Sequence, residues 1–358
     1  MSNQKLEYTS EELMSEDNFE EPLFGGEVRC HGGYIDGDYV SPRCKVRKPA
    51  IEAWRQRLID DGQPLIHIPD AYVPPHYPNC EQAKYLLHEG IVDPISRSLT
   101  TISIVEGFGA RIREVHLPDL GSEVKEDIAG TALAHLHKGL FEAHARDEAG
   151  YRDQGGHKQM WEAARDIGLN KPEIPNDVLL RMMSGGRSRK RQRLFPELSA
   201  RMEDMITFLA NILVIETFAE DVFAWAIDLL GDQEVSHDAE LAAHLVKCVR
   251  ADEQPHIDYL TLALSELRAR TLVSEDGKKE FEGAQVIDHI FTRQLRGAAT
   301  NRPRDARERL QKEIHELITD KSRAAKISNK FESLDSGWTF PKSENEQLDI
   351  LLKVSECA

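Results

Sequence analysis

The chain has 358 residues, long enough for one large core or two modest domains, and its 40% hydrophobic and 30% charged residues are the balance of an ordinary globular protein. With 45 Lys and Arg against 62 Asp and Glu the formal charge is −17, a poor fit to a general nucleic-acid binder, since neutralising phosphates takes a surplus of cations. No run of 18 apolar residues predicts a membrane span, the polar start from Met1 to Lys5 has no apolar signal core, and five cysteines (Cys30, Cys44, Cys80, Cys248, Cys357) are a sparse, odd set, so a reduced, cytoplasmic protein without membrane partners is expected.

Residues 1–20 are polar and acidic and predict a disordered start. Residues 21–79 predict an irregular arm rich in Gly and Pro. Within it, Gly33 to Val40 alternates around Asp36-Gly37 and reads as a small hairpin, and a short helix is expected near 51–60. Cys30, His31 and Cys44 offer zinc donors but no evident fourth ligand. From residue 80 the pattern turns helical, with helices expected near 80–90, 95–115, 122–152, 158–168, 198–230, 237–271 and 303–328. The fold class is therefore all-α: a multi-helix bundle over residues 80–330, an irregular N-terminal arm containing a hairpin, and a polar tail over 331–358.

The segment 198–230 is apolar on almost every face, which marks the central helix of a bundle. Glu216 lies inside it, and a carboxylate there is costly unless it is paired or binds a metal. The next helix carries Asp252, Glu253 and His256; spacings of four and three put either acid on one face with the imidazole, and Pro255 loosens the helix between them. Glu216 stands about 17 residues before the turn at 231–236, and the acid pair about 19 after it. At 1.5 Å per residue all of them meet at one depth of an antiparallel hairpin. In the segment 122–152, His137 and His144 share a face at a spacing of seven and border an apolar stripe, and His135 and Glu142 are also seven apart, on a neighbouring face.

These residues resemble two families of dinuclear metal proteins. Glu216 followed by Asp252-x3-His256 is similar to the later ligands of the heme-oxygenase-like di-iron oxidases. The earlier element of that set would be His137-x6-His144, with His137 where the family carries Glu. In the ferritin-like alternative, Glu253-x-x-His256 is the fourth-helix motif, Glu216 the third-helix acid and Glu106 the first-helix acid. The second-helix Glu-x-x-His is then missing, since Glu142 faces Ala145 and Glu148 faces Tyr151 at +3. Both resemblances imply an all-α bundle and two metal ions, iron with manganese as an alternative, that use dioxygen to oxidise a small organic substrate with electrons from an unidentified donor. A metal-free scaffold or an acid–base enzyme of the same fold remains the alternative. The run Arg187, Arg189, Lys190, Arg191 and Arg193 reads as a solvated loop or a dock for an anionic handle, such as a coenzyme A ester or an acidic carrier protein. A homodimer is compatible with all of these readings.

Overall fold

The computed structural model describes residues 5–174 and 193–341. A single-turn helix α1 (Ser10–Leu13) leads into an antiparallel three-stranded sheet of β1 (Glu21–Gly25), β2 (Val28–Ile35) and β3 (Asp38–Val40), and then into α2 (Cys44–Asp60). The helices α3 (Cys80–His88), α4 (Asp93–Gly109), α5 (Leu120–Glu123), α6 (Ala132–His135), α7 (Phe141–Ala149) and α8 (His157–Gly168) follow. Beyond residue 192 come α9 (Ala200–Leu230), α10 (Ala239–Arg268), a short hairpin of β4 (Thr271–Val273) and β5 (Glu280–Glu282), α11 (Gly283–Leu317) and α12 (Lys321–Ser333). No described helix is long and apolar enough to cross a membrane.

The long hairpin of α9 and α10 is the axis of the bundle. Ser199 caps α9 by accepting from the Met202 amide (3.0 Å), and Asp238 caps α10 by accepting from that of Leu241 (3.2 Å). Two apolar clusters divide the hairpin along its length. One holds Met202 to Phe218 of α9 with Tyr259 to Leu267 of α10; the other holds Phe223 to Leu230 with Ala242 to Val249. Glu216, Asp252, Glu253 and His256 are buried at the level where these clusters meet, so a polar layer lies between two apolar ones.

Three expectations need correction. The single helix read over 122–152 is broken, because Val124 pairs with Leu272 of β4 and Lys125 donates to the Thr271 carbonyl (3.0 Å), pulling the chain out of helix. It restarts at Ala132 under the Thr131 cap, then passes through a π-turn (Leu136–Leu140) in which Gly139 takes φ 133°, a value side chains rarely adopt. Second, the N-terminal stretch is ordered from residue 5: Thr9 forms a capping box with Glu12, Leu13 is fully buried, and the Leu6 carbonyl accepts from Trp54 Nε1 (2.8 Å). Third, the helix expected at 303–328 is two helices, α11 beginning twenty residues earlier and α12 reaching Ser333. The expected hairpin at 33–40 forms, but as part of the three-stranded sheet.

The restart at Ala132 has a measurable consequence. Buried Glu266 accepts from the Ala132 and Leu133 amides (3.1 and 3.0 Å), and burial, the larger effect, pushes its carboxyl from an ordinary 4.5 to about 7. The folded state then binds a proton that the unfolded chain has released, so this contribution is complete below about pH 4.5 and is lost as the pH rises through 7. Urea titrations between pH 5 and 8 should show a decline of stability that Glu266→Gln flattens; an unchanged slope would contradict the assignment.

Candidate metal centre

Five helices and the N-terminal sheet send titratable side chains into the polar layer. From α7 come His144, Asp147 and Glu148; from α8, His157; from α9, Glu216; from α10, Asp252, Glu253 and His256; from α4, Glu106. His157 arrives through a tight turn. Cβ atoms at Gly150 and Gly156 would lie 2.4 Å from the Gln154 and Asp147 carbonyls respectively, so only two glycines let the chain reverse here and deliver the first residue of α8 to the end of α7. The same turn is tied to β2, where the His31 amide donates to the Gly155 carbonyl (2.9 Å) and the Gly155 amide to that of Arg29 (2.8 Å).

The donor atoms form three groups: one joins His31, His157 and Asp252, and two share Glu148 and His256. His144, Glu148, Glu216 and His256 form one and Glu148, His157, Glu253 and His256 the other, each with donor atoms within 4.8 Å of one another. Glu148 spans both. Its Oε1 is 3.4 Å from His144 Nε2 and 3.6 Å from His256 Nδ1, while its Oε2 is 3.4 Å from His157 Nδ1. Glu253 reaches His157 Nδ1 through Oε1 (2.8 Å) and His256 Nδ1 through Oε2 (2.7 Å). Glu216 Oε1 lies 3.6 Å from His144 Nε2, and Glu106 Oε2 lies 4.0 Å from His157 Nδ1.

Each imidazole turns one nitrogen to this centre; His144 and His256 hydrogen-bond through the other, whereas His157 Nε2 makes no hydrogen bond. His157 Nε2 faces Asp252 (3.6 Å), whose oxygens accept from Tyr39 Oη (2.9 and 2.8 Å) and from His31 Nε2 (2.8 Å). His256 Nε2 faces Asp147 (3.1 Å), which is held by Arg43 and by Arg47 Nη1 (2.8 Å), and His144 Nδ1 meets the Tyr259 hydroxyl (3.1 Å). Such outer partners fix the ring orientation and tautomer of metal-binding histidines.

The electrostatics separate the carboxylates. Burial, reinforced by neighbouring acids, pushes Glu106 and Glu216 well above the usual carboxylate range and raises Glu148. Burial also pushes Glu253 up, but His157 and His256 outweigh it and hold it well below that range. Asp147 is likewise held low against its burial, by Arg43 and Arg47. His144 Nε2 and Glu148 Oε2 are buried without a hydrogen-bond partner, whereas His157 Nδ1 and Glu253 Oε1 form an ion pair with one another (2.8 Å). Four glutamates and three neutral imidazoles would balance the four charges of two divalent ions, and an oxygen and nitrogen donor set suits iron or manganese.

The sequence-derived candidates therefore divide. Glu216, Glu253, His256, His144 and Glu106 come together at the centre. Asp252 lies outside the two groups that share Glu148 but in the third with His31 and His157, and its oxygens accept from Tyr39 and His31. His137 is exposed and bonds the Val115 carbonyl (2.9 Å), because the π-turn breaks the spacing that placed it beside His144. Glu142 pairs with Arg146 (2.8 Å) on the outer side of α7. Among the described residues Cys30 and Cys44 join no metal-binding group, since burial pushes the Cys30 thiol up to about 11 and Arg47 contacts Cys44 (3.7 Å), whereas His31 falls in a group with His157 and Asp252. Arg187, Arg189, Lys190 and Arg191 lie outside the described residues, whereas Arg193 is bound to Glu203 (3.2 Å) and to the Phe195 and Leu198 carbonyls, which makes it a structural tie.

Two residues of the centre escaped the sequence reading. Glu148 carries Tyr151, not His, at +3, and its partner His157 is nine residues on, across the glycine turn. The paired Gly155-Gly156 before a helical segment was the one available signal.

A cavity of about 630 Å³ lies between α4 and α9, roofed by α11 and the Pro74–Pro78 segment. Its wall includes Val105 and Ile215, the neighbours in sequence of Glu106 and Glu216. Those two side chains keep 10% and 6% exposure against at most 3% for the rest of the centre, but neither lines the cavity.

Comparisons with protein-family models, with curated proteins and with solved structures give no match.

Proposed function

We propose that this protein is a non-heme oxidase or oxygenase with two metal ions, iron or iron and manganese, that oxidises a small organic molecule held in the α4–α9 cavity. The observation that carries this reading is Glu148: one buried carboxylate whose two oxygens serve two adjoining donor groups, with its own Oε2 and His144 Nε2 left without a hydrogen bond. A scaffold or a metal-free acid–base enzyme would leave those two atoms buried without a hydrogen bond, at a cost of about 1–3 kcal/mol each.

When bound, the two ions supply the reduction of dioxygen, chemistry that no side chain provides. The chain supplies position and exclusion. Glu148 and Glu253 fix the spacing of the two donor groups, and Asp147, Asp252 and Tyr259 hold the three imidazoles in place. Apolar layers above and below keep water out. Glu106 and Glu216 are the acids of the centre most strongly raised by burial, which suits them to hold a proton. Ile215, Phe218 and Val222 offer the substrate an apolar wall.

Protein loaded anaerobically with ferrous iron should consume dioxygen when exposed to air, and Glu253→Ala protein treated identically should consume little. Equal, background-level uptake by both would contradict the reading.

A further inference from the structure

The β2–β3 hairpin bears on more than the folding of the arm. Its register pairs Tyr34 with Tyr39 directly across the two strands, so both rings leave one face of the sheet, toward α10. The rings meet edge-on, with centroids 6.3 Å apart. Inward, the Tyr39 hydroxyl donates to Asp252 (2.8 Å), and Asp252 faces His157 Nε2 (3.6 Å), whose other nitrogen belongs to the centre. Outward, the Tyr34 hydroxyl lies 2.6 Å from His244 Nε2, and the two rings stack at 6.0 Å with planes 9° apart. Tyr34 and His244 are both partly exposed. A continuous line of oxidisable rings thus runs from the centre to the surface, and each phenol has a base in place to take its proton: Asp252 for Tyr39, His244 for Tyr34.

We propose that Tyr39 and Tyr34 form an electron relay by which single electrons from a small reductant of the ascorbate class reach the metal centre. The proposal rests on the redox reading above. Each transfer balances. Tyr39 gives one electron inward and its hydroxyl proton to Asp252. Tyr34 then reduces the Tyr39 phenoxyl, which recovers its proton from Asp252, while the Tyr34 proton passes to His244. The reductant finally supplies one electron to the Tyr34 phenoxyl, and His244 returns the proton. Both tyrosines end unchanged, and one electron has moved from the reductant to the centre.

Tyr34 separates a relay from mere support of the site, because it touches neither Asp252 nor any donor to the centre. Ferrous protein exposed to dioxygen without substrate should show a tyrosyl radical by electron paramagnetic resonance. In Tyr34→Phe the re-reduction of the oxidised protein by ascorbate should slow at least tenfold, with metal content and the first uptake of dioxygen unchanged. A second measurement needs no metal: one-electron photo-oxidation of the metal-free protein at its surface should place a radical on Tyr39, and Tyr34→Phe should remove most of it. Normal dioxygen uptake together with wild-type re-reduction in Tyr34→Phe overturns the relay and leaves the metal reading standing. Absence of dioxygen uptake overturns the metal reading, and the photo-oxidation experiment then decides the relay by itself: an undiminished Tyr39 radical in Tyr34→Phe overturns it.

Discussion

Glu148→Gln protein should bind little metal and, in its metal-free form, should be more stable than the wild type at pH 8. Both effects follow from one position. In the metal-free protein the Glu148 carboxyl is buried beside Glu253, and burial and that neighbour both oppose its ionisation. Glutamine keeps the shape and removes the charge, so the apo fold is relieved. With metal the sign would reverse, because an amide lacks the two anionic oxygens with which Glu148 would serve both donor groups. Ions present at a hundred times their Kd add about 2.7 kcal/mol to the wild type for each site filled. The variant should gain almost nothing, while Glu142→Gln, altered on the outer side of the same helix, should gain as much as wild type. Thermal unfolding with and without ferrous or manganous ion measures both halves. A metal-induced shift equal in Glu148→Gln and wild type would contradict the bridge.

Asp147→Ala should cost about 3–5 kcal/mol, a large share of a folding free energy of the order of 5–15 kcal/mol. Arg43 and Arg47 are 1% and 0% exposed, and both place their charge on Asp147. Without it two buried guanidinium groups face one another uncompensated, and His256 Nε2 loses its anchor. Replacing all three together, with Arg43→Met, Arg47→Met and Asp147→Leu, should recover most of the stability, since an apolar trio of similar volume carries no buried charge. It should not recover metal affinity, which should stay about 10–100-fold below wild type because the His256 ring is no longer oriented. Urea denaturation of the metal-free proteins gives the first quantity and metal titration the second. A loss under about 1 kcal/mol in Asp147→Ala would show that the arginines find other partners.

The parts of this site that were legible in the sequence are those set by helical period. Glu216 and the Glu253–His256 pair could be brought to one level by counting residues from the turn, since a straight α-helix advances uniformly. The choice between Asp252 and Glu253 could not be made by counting. Adjacent positions differ by about 100° around a helix, and the structure turns Glu253 inward and Asp252 toward Tyr39, a partner 213 residues away in sequence. His137 failed because a spacing of seven is meaningful only within an unbroken helix, and Gly139 interrupts it. His157 was hidden for the opposite reason: two helices that read as separate are folded back by Gly150 and Gly156 so that their ends share one centre. The N-terminal arm looked irregular because its order depends on distant pairings, such as that of Cys30 with Gly155, which no local pattern announces.

The central claim is a pair of ions bridged by Glu148. It is tested most directly by anaerobic titration of the metal-free protein with ferrous or manganous ion, followed by desalting and elemental analysis. The account predicts close to two ions per chain in the wild type and less than half an ion in Glu148→Ala. A wild type that retains no transition metal, or a Glu148→Ala protein that retains both ions, would contradict it.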